Sequence, residues 1–111
     1  MDLGGGCGFY AHGFARLGAG VTLIDLDEQS CEFARSRFPG EFRVVHGDPV
    51  QLSAGDTYDV VFCNQVIEHY PQLDPLVEAI ERYLRPGGVA VITTPNQRCK
   101  EFWVRPEWWF T

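Results

Sequence analysis

Paired cysteines, basic charge and long apolar runs are what this chain of 111 residues has little of, and each shortage narrows its function. Its four cysteines, Cys7, Cys31, Cys63 and Cys99, are scattered without a CxxC pair. A structural zinc site and a disulfide framework are therefore not expected; no metal ligands are nominated, and reduced thiols in the cytoplasm are the expectation. Lys and Arg number 9 against 15 Asp and Glu, a formal net charge of −6. Nucleic-acid affinity depends on clustered basic residues, so this balance argues against such a partner. No apolar run approaches the roughly 20 residues of a membrane span, and no signal-peptide pattern precedes the first glycines. Internal repeats, low-complexity tracts and inter-domain linkers are also missing.

What is present is an ordinary globular composition, 45% hydrophobic and 22% charged, enough for one domain with one core. Strand and helix signals alternate from end to end. The first glycines follow Met1 so closely that the first strand, about residues 1–4, is expected to be cut short. A helix through Tyr10, Ala11, Phe14, Ala15 and Leu17 ends at Gly18-Ala19-Gly20, and residues 21–25 read as a second strand. Asp27 is the expected N-cap of a helix that stops at Pro39-Gly40. Residues 42–45 read as a third strand, and 49–57 as a loop or short helix. Tyr58-Asp59-Val60-Val61-Phe62-Cys63 is a continuous apolar run suited to a central parallel strand. Asp74-Pro75 is expected to cap a helix whose apolar face carries Leu76, Val77, Ile80, Tyr83 and Leu84. Pro86-Gly87-Gly88 ends it, and residues 89–94 read as the last strand.

This alternation predicts an α/β fold, a Rossmann-like doubly wound, mostly parallel sheet with helices on both faces. Ligands of such sheets bind at the carboxyl ends of strands where strand order reverses, which brings residues 4–8 opposite residues 64–69. The opening Asp2-Leu3-Gly4-Gly5-Gly6-Cys7-Gly8 is a strand running into a glycine-rich turn, and Asp25 tips the next strand. Backbone N–H groups in such a turn approach a ligand closely, while a carboxylate at that strand tip accepts from ribose hydroxyls. The turn alone leaves two nucleotides open. Gly6-Cys7-Gly8-Phe9-Tyr10-Ala11 also fits a GxGxxA dinucleotide pattern, with Asp25 at a tolerable distance.

Downstream stretches separate the two. The opening motif resembles the first motif of the class I S-adenosylmethionine-dependent methyltransferases. Ile24-Asp25-Leu26-Asp27 is similar to their second-strand motif, Gly47-Asp48 to the position after the third strand, and residues 58–69 to the fourth-strand motif. Leu84-Arg85-Pro86-Gly87-Gly88 resembles the turn before their fifth strand. Val91-Ile92-Thr93-Thr94-Pro95-Asn96 is similar to that strand's end, especially in ubiquinone-biosynthesis O-methyltransferases. The resemblance covers residues 2 to about 97. It implies S-adenosyl-L-methionine as cofactor and methyl transfer as the activity. It also implies about five strands present of the family's usual seven, in a core over 1–97 followed by an aromatic-rich tail over 98–111.

Roles carried over by the resemblance follow the chemistry of each residue. Gly4, Gly6 and Gly8 let the backbone pass close to the cofactor. Asp2 helps to hold its cationic amino end, and Asp25 takes the ribose hydroxyls. Asp48 accepts from the adenine amine with Pro49 beside the ring, and Asn64 and Gln65 line the methionine end. Asp25 and Asp48 also have plain readings, as an exposed loop acid and a turn cap. A phenol or alcohol acceptor needs a base, and His69 is the one histidine nominated, against a purely structural reading with Glu68. His12 and His46 are assigned no catalytic role, and Cys7 and Cys63 are read as packing thiols.

Asn64-Gln65-Val66-Ile67 lacks the Asn/Asp-Pro-Pro-Tyr/Phe sequence of amino-group methyltransferases. By elimination the expected acceptor is oxygen, or carbon, on a small molecule. The tail, with Phe102, Trp103, Trp108, Trp109 and Phe110, reads as an acceptor wall, a cover for a sheet edge, a self-association surface, or the start of a further segment. A cofactor-binding remnant with little turnover, and a nicotinamide-binding module, are the alternative functions.

Overall fold

The computed structural model describes residues 1–52 and 55–96; the tail over 98–111 and Cys99 lie outside the described residues. Five parallel strands, β1 (Asp2–Leu3), β2 (Thr22–Asp25), β3 (Arg43–His46), β4 (Tyr58–Asn64) and β5 (Leu84–Thr93), form one sheet in the order β3-β2-β1-β4-β5. Helices α1 (Phe9–Arg16), α2 (Glu28–Arg37) and α3 (Asp74–Tyr83) run between strands. The doubly wound, Rossmann-like arrangement expected from the alternating pattern is the observed fold.

Each sheet face has its own apolar layer. Ala11 of α1 and Cys31 and Ala34 of α2 bury Leu23 on one face. On the other, Leu76, Ala79, Ile80 and Tyr83 of α3 pack on Leu3, Ile24, Val61 and Cys63. These four α3 residues repeat at i, i+3, i+4 and i+7, a single helical stripe. Fully burying a leucine or isoleucine contributes about 1.5–3 kcal/mol, so this stripe is what seats α3. Val77 and Leu84, expected on the stripe, do not belong to it. Val77 is exposed, and Leu84 is the first residue of β5.

Local sequence explains the ends of the elements. Asp27 caps α2 as expected, its Oδ2 accepting from Ser30 N–H at 2.9 Å and Ser30 Oγ–H at 2.6 Å. At α3 the N-cap is Leu73 rather than Asp74, because Val77 N–H reaches back to the Leu73 carbonyl. Asp74 instead enters the first turn, where its charge complements the helix dipole. The 84–88 turn is absorbed into β5. Leu84 pairs with Tyr58, the register jumps, and the ladder resumes with Val89 opposite Val60. A Cβ on Gly88 would stand 3.0 Å from the carbonyl oxygens of Arg85 and Asp59, so the bulge leaves little room for a side chain there.

Candidate functional site

Because the strands are parallel, the loops after β1, β2, β3 and β4 open on one end of the sheet. They meet around the β1–β4 pair, where strand order reverses. The glycine turn leaves β1 and is tied to β2 by Gly4 N–H donating to the Ile24 carbonyl at 2.8 Å. Gly6 N–H then donates to Asp25 Oδ2 at 2.8 Å, and Asp27 N–H donates to Asp25 Oδ1 at 2.8 Å. A backbone donor on each oxygen locks the carboxylate and leaves each oxygen further acceptor capacity. Two neighbouring hydroxyls of a ribose match that geometry.

The glycines divide the work. A Cβ on Gly4 would collide with Val66, so the turn packs directly on the loop after β4. A Cβ on Gly5 would come within 2.6 Å of Asp2 Oδ2 and of Leu23 Cγ. Gly6, at φ +54°, has nothing within 4 Å of its Cβ position and borders open space beside Asp25. Gly8 caps α1 and approaches Phe42 and Ala34, so its missing side chain serves helix packing.

Beneath this turn Asp2 is 2% exposed, and its Oδ2 has no hydrogen-bond partner among the described residues. Burial pushes its carboxyl up to about 6, against the pull of the N-terminal ammonium and the Ala11 backbone. An orphaned, buried acid of this kind fits the neighbourhood of a cationic ligand.

Asp48 follows β3. Its Oδ1 accepts from Val50 N–H at 2.8 Å and from Tyr70 O–H at 3.5 Å, so it does cap its own turn. Pro49 beside it is buried, its carbonyl accepting from Tyr83 O–H at 2.8 Å. At the end of β4, Asn64 Oδ1 accepts from Thr93 Oγ–H at 2.5 Å. Gln65 adopts φ +54°, unusual for a residue with a side chain, and its N–H donates to the Thr93 carbonyl at 2.9 Å. His69 closes the 3₁₀ turn Ile67–His69 in the loop after β4 and is exposed. Glu68 accepts from Thr94 Oγ–H at 3.4 Å.

The other histidines and thiols have surroundings of their own. His12 faces Glu41 across 2.5 Å and stacks on Phe38, while His46 contacts the Leu26 carbonyl at 3.0 Å. Burial raises the thiols of Cys31 and Cys63, the latter to about 11, so neither is an activated nucleophile. Cys7 lies half-buried within the glycine turn.

Asp25 and the turn over 4–8 were legible as partners. The contributions of Gly5, Val66, Tyr70 and Thr93 were not, since each depends on a neighbour distant in sequence. Thr93 had one weak signal, its place in the motif Val91-Ile92-Thr93-Thr94-Pro95-Asn96 at the end of the last strand. A separate cavity of about 260 Å³ lies near the amino ends of the strands, lined by Thr22, Arg43, Asp56, Tyr58 and Tyr83 among others. It contains none of residues 4–8, 25–27, 47–50 or 64–69, although Ile24 and Tyr83 line it as well as supporting the site.

Charge separates the two nucleotides left open by the glycine pattern. Residues 4–8, 25–27, 47–50 and 64–69 contain Asp25, Asp27, Asp48 and Glu68 but no Lys or Arg. A pyrophosphate would find backbone N–H groups but no basic side chain there and would face these acids, whereas a sulfonium cofactor without phosphate suits an acidic crevice.

The methyltransferase domain family model matches residues 1–92. Ubiquinone biosynthesis O-methyltransferase of Bordetella avium is 34% identical over 107 residues, 92% of this chain and 44% of that protein. The chain thus spans under half the length of this curated relative. Among solved structures, an S-adenosylmethionine-bound amino pentose methyltransferase from Micromonospora echinaspora is 29% identical. It superposes with a TM-score of 0.78 over 86% of this chain and 42% of its own. A methyltransferase from Thiobacillus denitrificans in complex with S-adenosyl-L-homocysteine is 27% identical, with a TM-score of 0.68 over 80% and 38%. With the fold, the glycine turn and Asp25 arranged as described, the chain belongs to the class I S-adenosylmethionine-dependent methyltransferases.

Proposed function

We propose that these residues form the cofactor-binding core of an enzyme that methylates an oxygen, or a carbon, on a small molecule. One observation carries the reading: Asp25, locked by the N–H groups of Gly6 and Asp27, in a crevice with acidic residues and no basic ones. S-adenosyl-L-methionine, when bound, supplies a methyl group made electrophilic by its sulfonium. In this reading Asp25 accepts from both ribose hydroxyls and Asp48 from the adenine amine. Asp2, Asn64 and Gln65 serve the methionine end, with Gly4, Gly6 and Gly8 keeping the turn narrow. Most of the rate then comes from alignment and exclusion of water, since a positive charge disperses during methyl transfer. His69, exposed beside this end, takes the proton of an acceptor hydroxyl.

Residues 1–97 act as the core, with 98–111 beginning the acceptor side or a contact surface. Among the described residues no helix is long and apolar enough to cross a membrane, and Cys7, Cys31 and Cys63 are free. Both are compatible with the cytoplasmic location proposed here, and the acidic crevice favours a small-molecule acceptor over nucleic acid. Among the described residues no strand pairs with the outer edge of β5, which supports self-association of the chain.

Calorimetry with S-adenosyl-L-homocysteine and with NAD tests the cofactor assignment. Binding of the former alone is expected; binding of NAD alone would overturn it. The partial coverage of relatives favours a second reading, cofactor binding with little turnover by this stretch alone. A methyl-transfer screen of this chain beside a longer one decides between them, since turnover restored only in the longer chain supports the second.

A further inference from the structure

Tyr70 stands outside every motif and every role assigned above, yet it reaches from the loop after β4 to the carboxylate after β3. Its O–H donates to Asp48 Oδ1 at 3.5 Å, a long hydrogen bond between two half-buried side chains. Its ring packs on the α3-side core cluster, which holds the hydroxyl in place. Burial, reinforced by Asp48, pushes the phenol up to about 12, so it remains an O–H donor throughout the neutral range.

The backbone of this turn does not depend on Tyr70. The Asp48 carbonyl accepts from Gln51 and Leu52 N–H. From α3, Tyr83 O–H donates to the Pro49 carbonyl at 2.8 Å and Arg82 Nη2 to the Val50 carbonyl at 2.9 Å. What Tyr70 adds falls on the carboxylate itself. Together with Val50 N–H it gathers donors on Oδ1, while Oδ2 has no partner among the described residues.

We infer that Tyr70 is a positioning residue that turns Asp48 Oδ2 outward as a fixed acceptor, and so sets the selectivity of the site for a purine bearing an exocyclic amine. The inference rests on the proposed contact between Asp48 and adenine. A carboxylate held this way welcomes an N–H donor and repels the oxo group of a hypoxanthine, leaving two acceptors face to face. Without the phenol hydroxyl the carboxylate rotates more freely, and that discrimination falls.

The test compares S-adenosyl-L-homocysteine with S-inosyl-L-homocysteine, in which oxo replaces the amine and N1 gains a hydrogen, by calorimetry on the full chain. Wild type is expected to prefer the amino ligand. Tyr70→Phe, which keeps the ring, is expected to lower that preference about three- to tenfold. Arg82→Gln is the control for a loosened turn and is expected to weaken both ligands together. Asp48→Asn tests the underlying reading. If it leaves the preference unchanged, the adenine contact itself is wrong. If it erodes the preference while Tyr70→Phe does not, the contact stands and the role of Tyr70 is overturned. Equal weakening of both ligands by Tyr70→Phe would also overturn it, as that is the signature of a merely structural residue.

Discussion

Asp25 and Asp2 lie on neighbouring strands and have opposite circumstances. Asp25 accepts a backbone N–H on each oxygen, whereas Asp2 is closed in beneath Gly5 with one oxygen unpartnered. Hydrogen bonds to a charged group are worth about 1.5–3 kcal/mol, so Asp25→Ala is expected to weaken S-adenosyl-L-homocysteine roughly ten- to a hundredfold. Asp25→Asn, which keeps one acceptor oxygen, should fall between, as read by calorimetry. Asp2 leads to a pH effect instead. Its folded pKa is raised to about 6, so between the unfolded value near 4 and 6 the native state holds the extra proton. Stability from this group is full below about pH 4 and lost as pH rises through 6. Asp2→Asn should remove that decline, a relative gain on the order of 2–3 kcal/mol at neutral pH. Thermal melts at pH 4 and 7 check this; a variant with the wild-type slope would refute it.

At the scale of elements, α3 does more than cover the sheet. Its Tyr83 O–H reaches the Pro49 carbonyl, so the helix that buries β4 also holds the turn that carries Asp48. Tyr83→Phe leaves that carbonyl without its partner, at a cost of about 1–3 kcal/mol in denaturant unfolding. The same variant is expected to weaken cofactor binding modestly, because the turn gains freedom. The helical stripe itself was visible in the sequence, apart from Val77 and Leu84. The start of β5 was not, because Pro86-Gly87-Gly88 is a bulge within a ladder and local rules read it as a break. Asp74 misled in a similar way, since the cap is decided by where Val77 N–H finds its carbonyl.

Across the whole molecule, coverage of the sheet is uneven. The α1 and α2 layer and the α3 layer bury β1, β2 and the inner half of β4. On β5, Val89 is 56% exposed, with Val91 and Ile92 also exposed, and Val60 beside them on β4. Arg85, Pro86 and the bulge protect the first half of β5, but residues 89–94 carry no charge, and among the described residues no strand pairs with their outer edge. Val91→Lys is therefore expected to lower concentration-dependent self-association in sedimentation velocity and to reduce binding of an apolar dye. A wild-type chain that stays monomeric at high concentration would remove the basis for that expectation.

The sequence by itself determined the alternation of strands and helices, the glycine turn, the acid at the tip of β2 and the sign of the charge around them. Those are local properties, set by backbone sterics, hydrophobic period and formal charge. Tertiary structure decided what depends on distant neighbours. It set the β3-β2-β1-β4-β5 order that brings four loops to one crevice, and the Asp2 oxygen that fixes Gly5 as a glycine. It also joined Tyr70 to Asp48, 22 residues apart in the chain. A hydrogen bond between loops is written in no periodicity, because its partners meet only after the sheet has assembled.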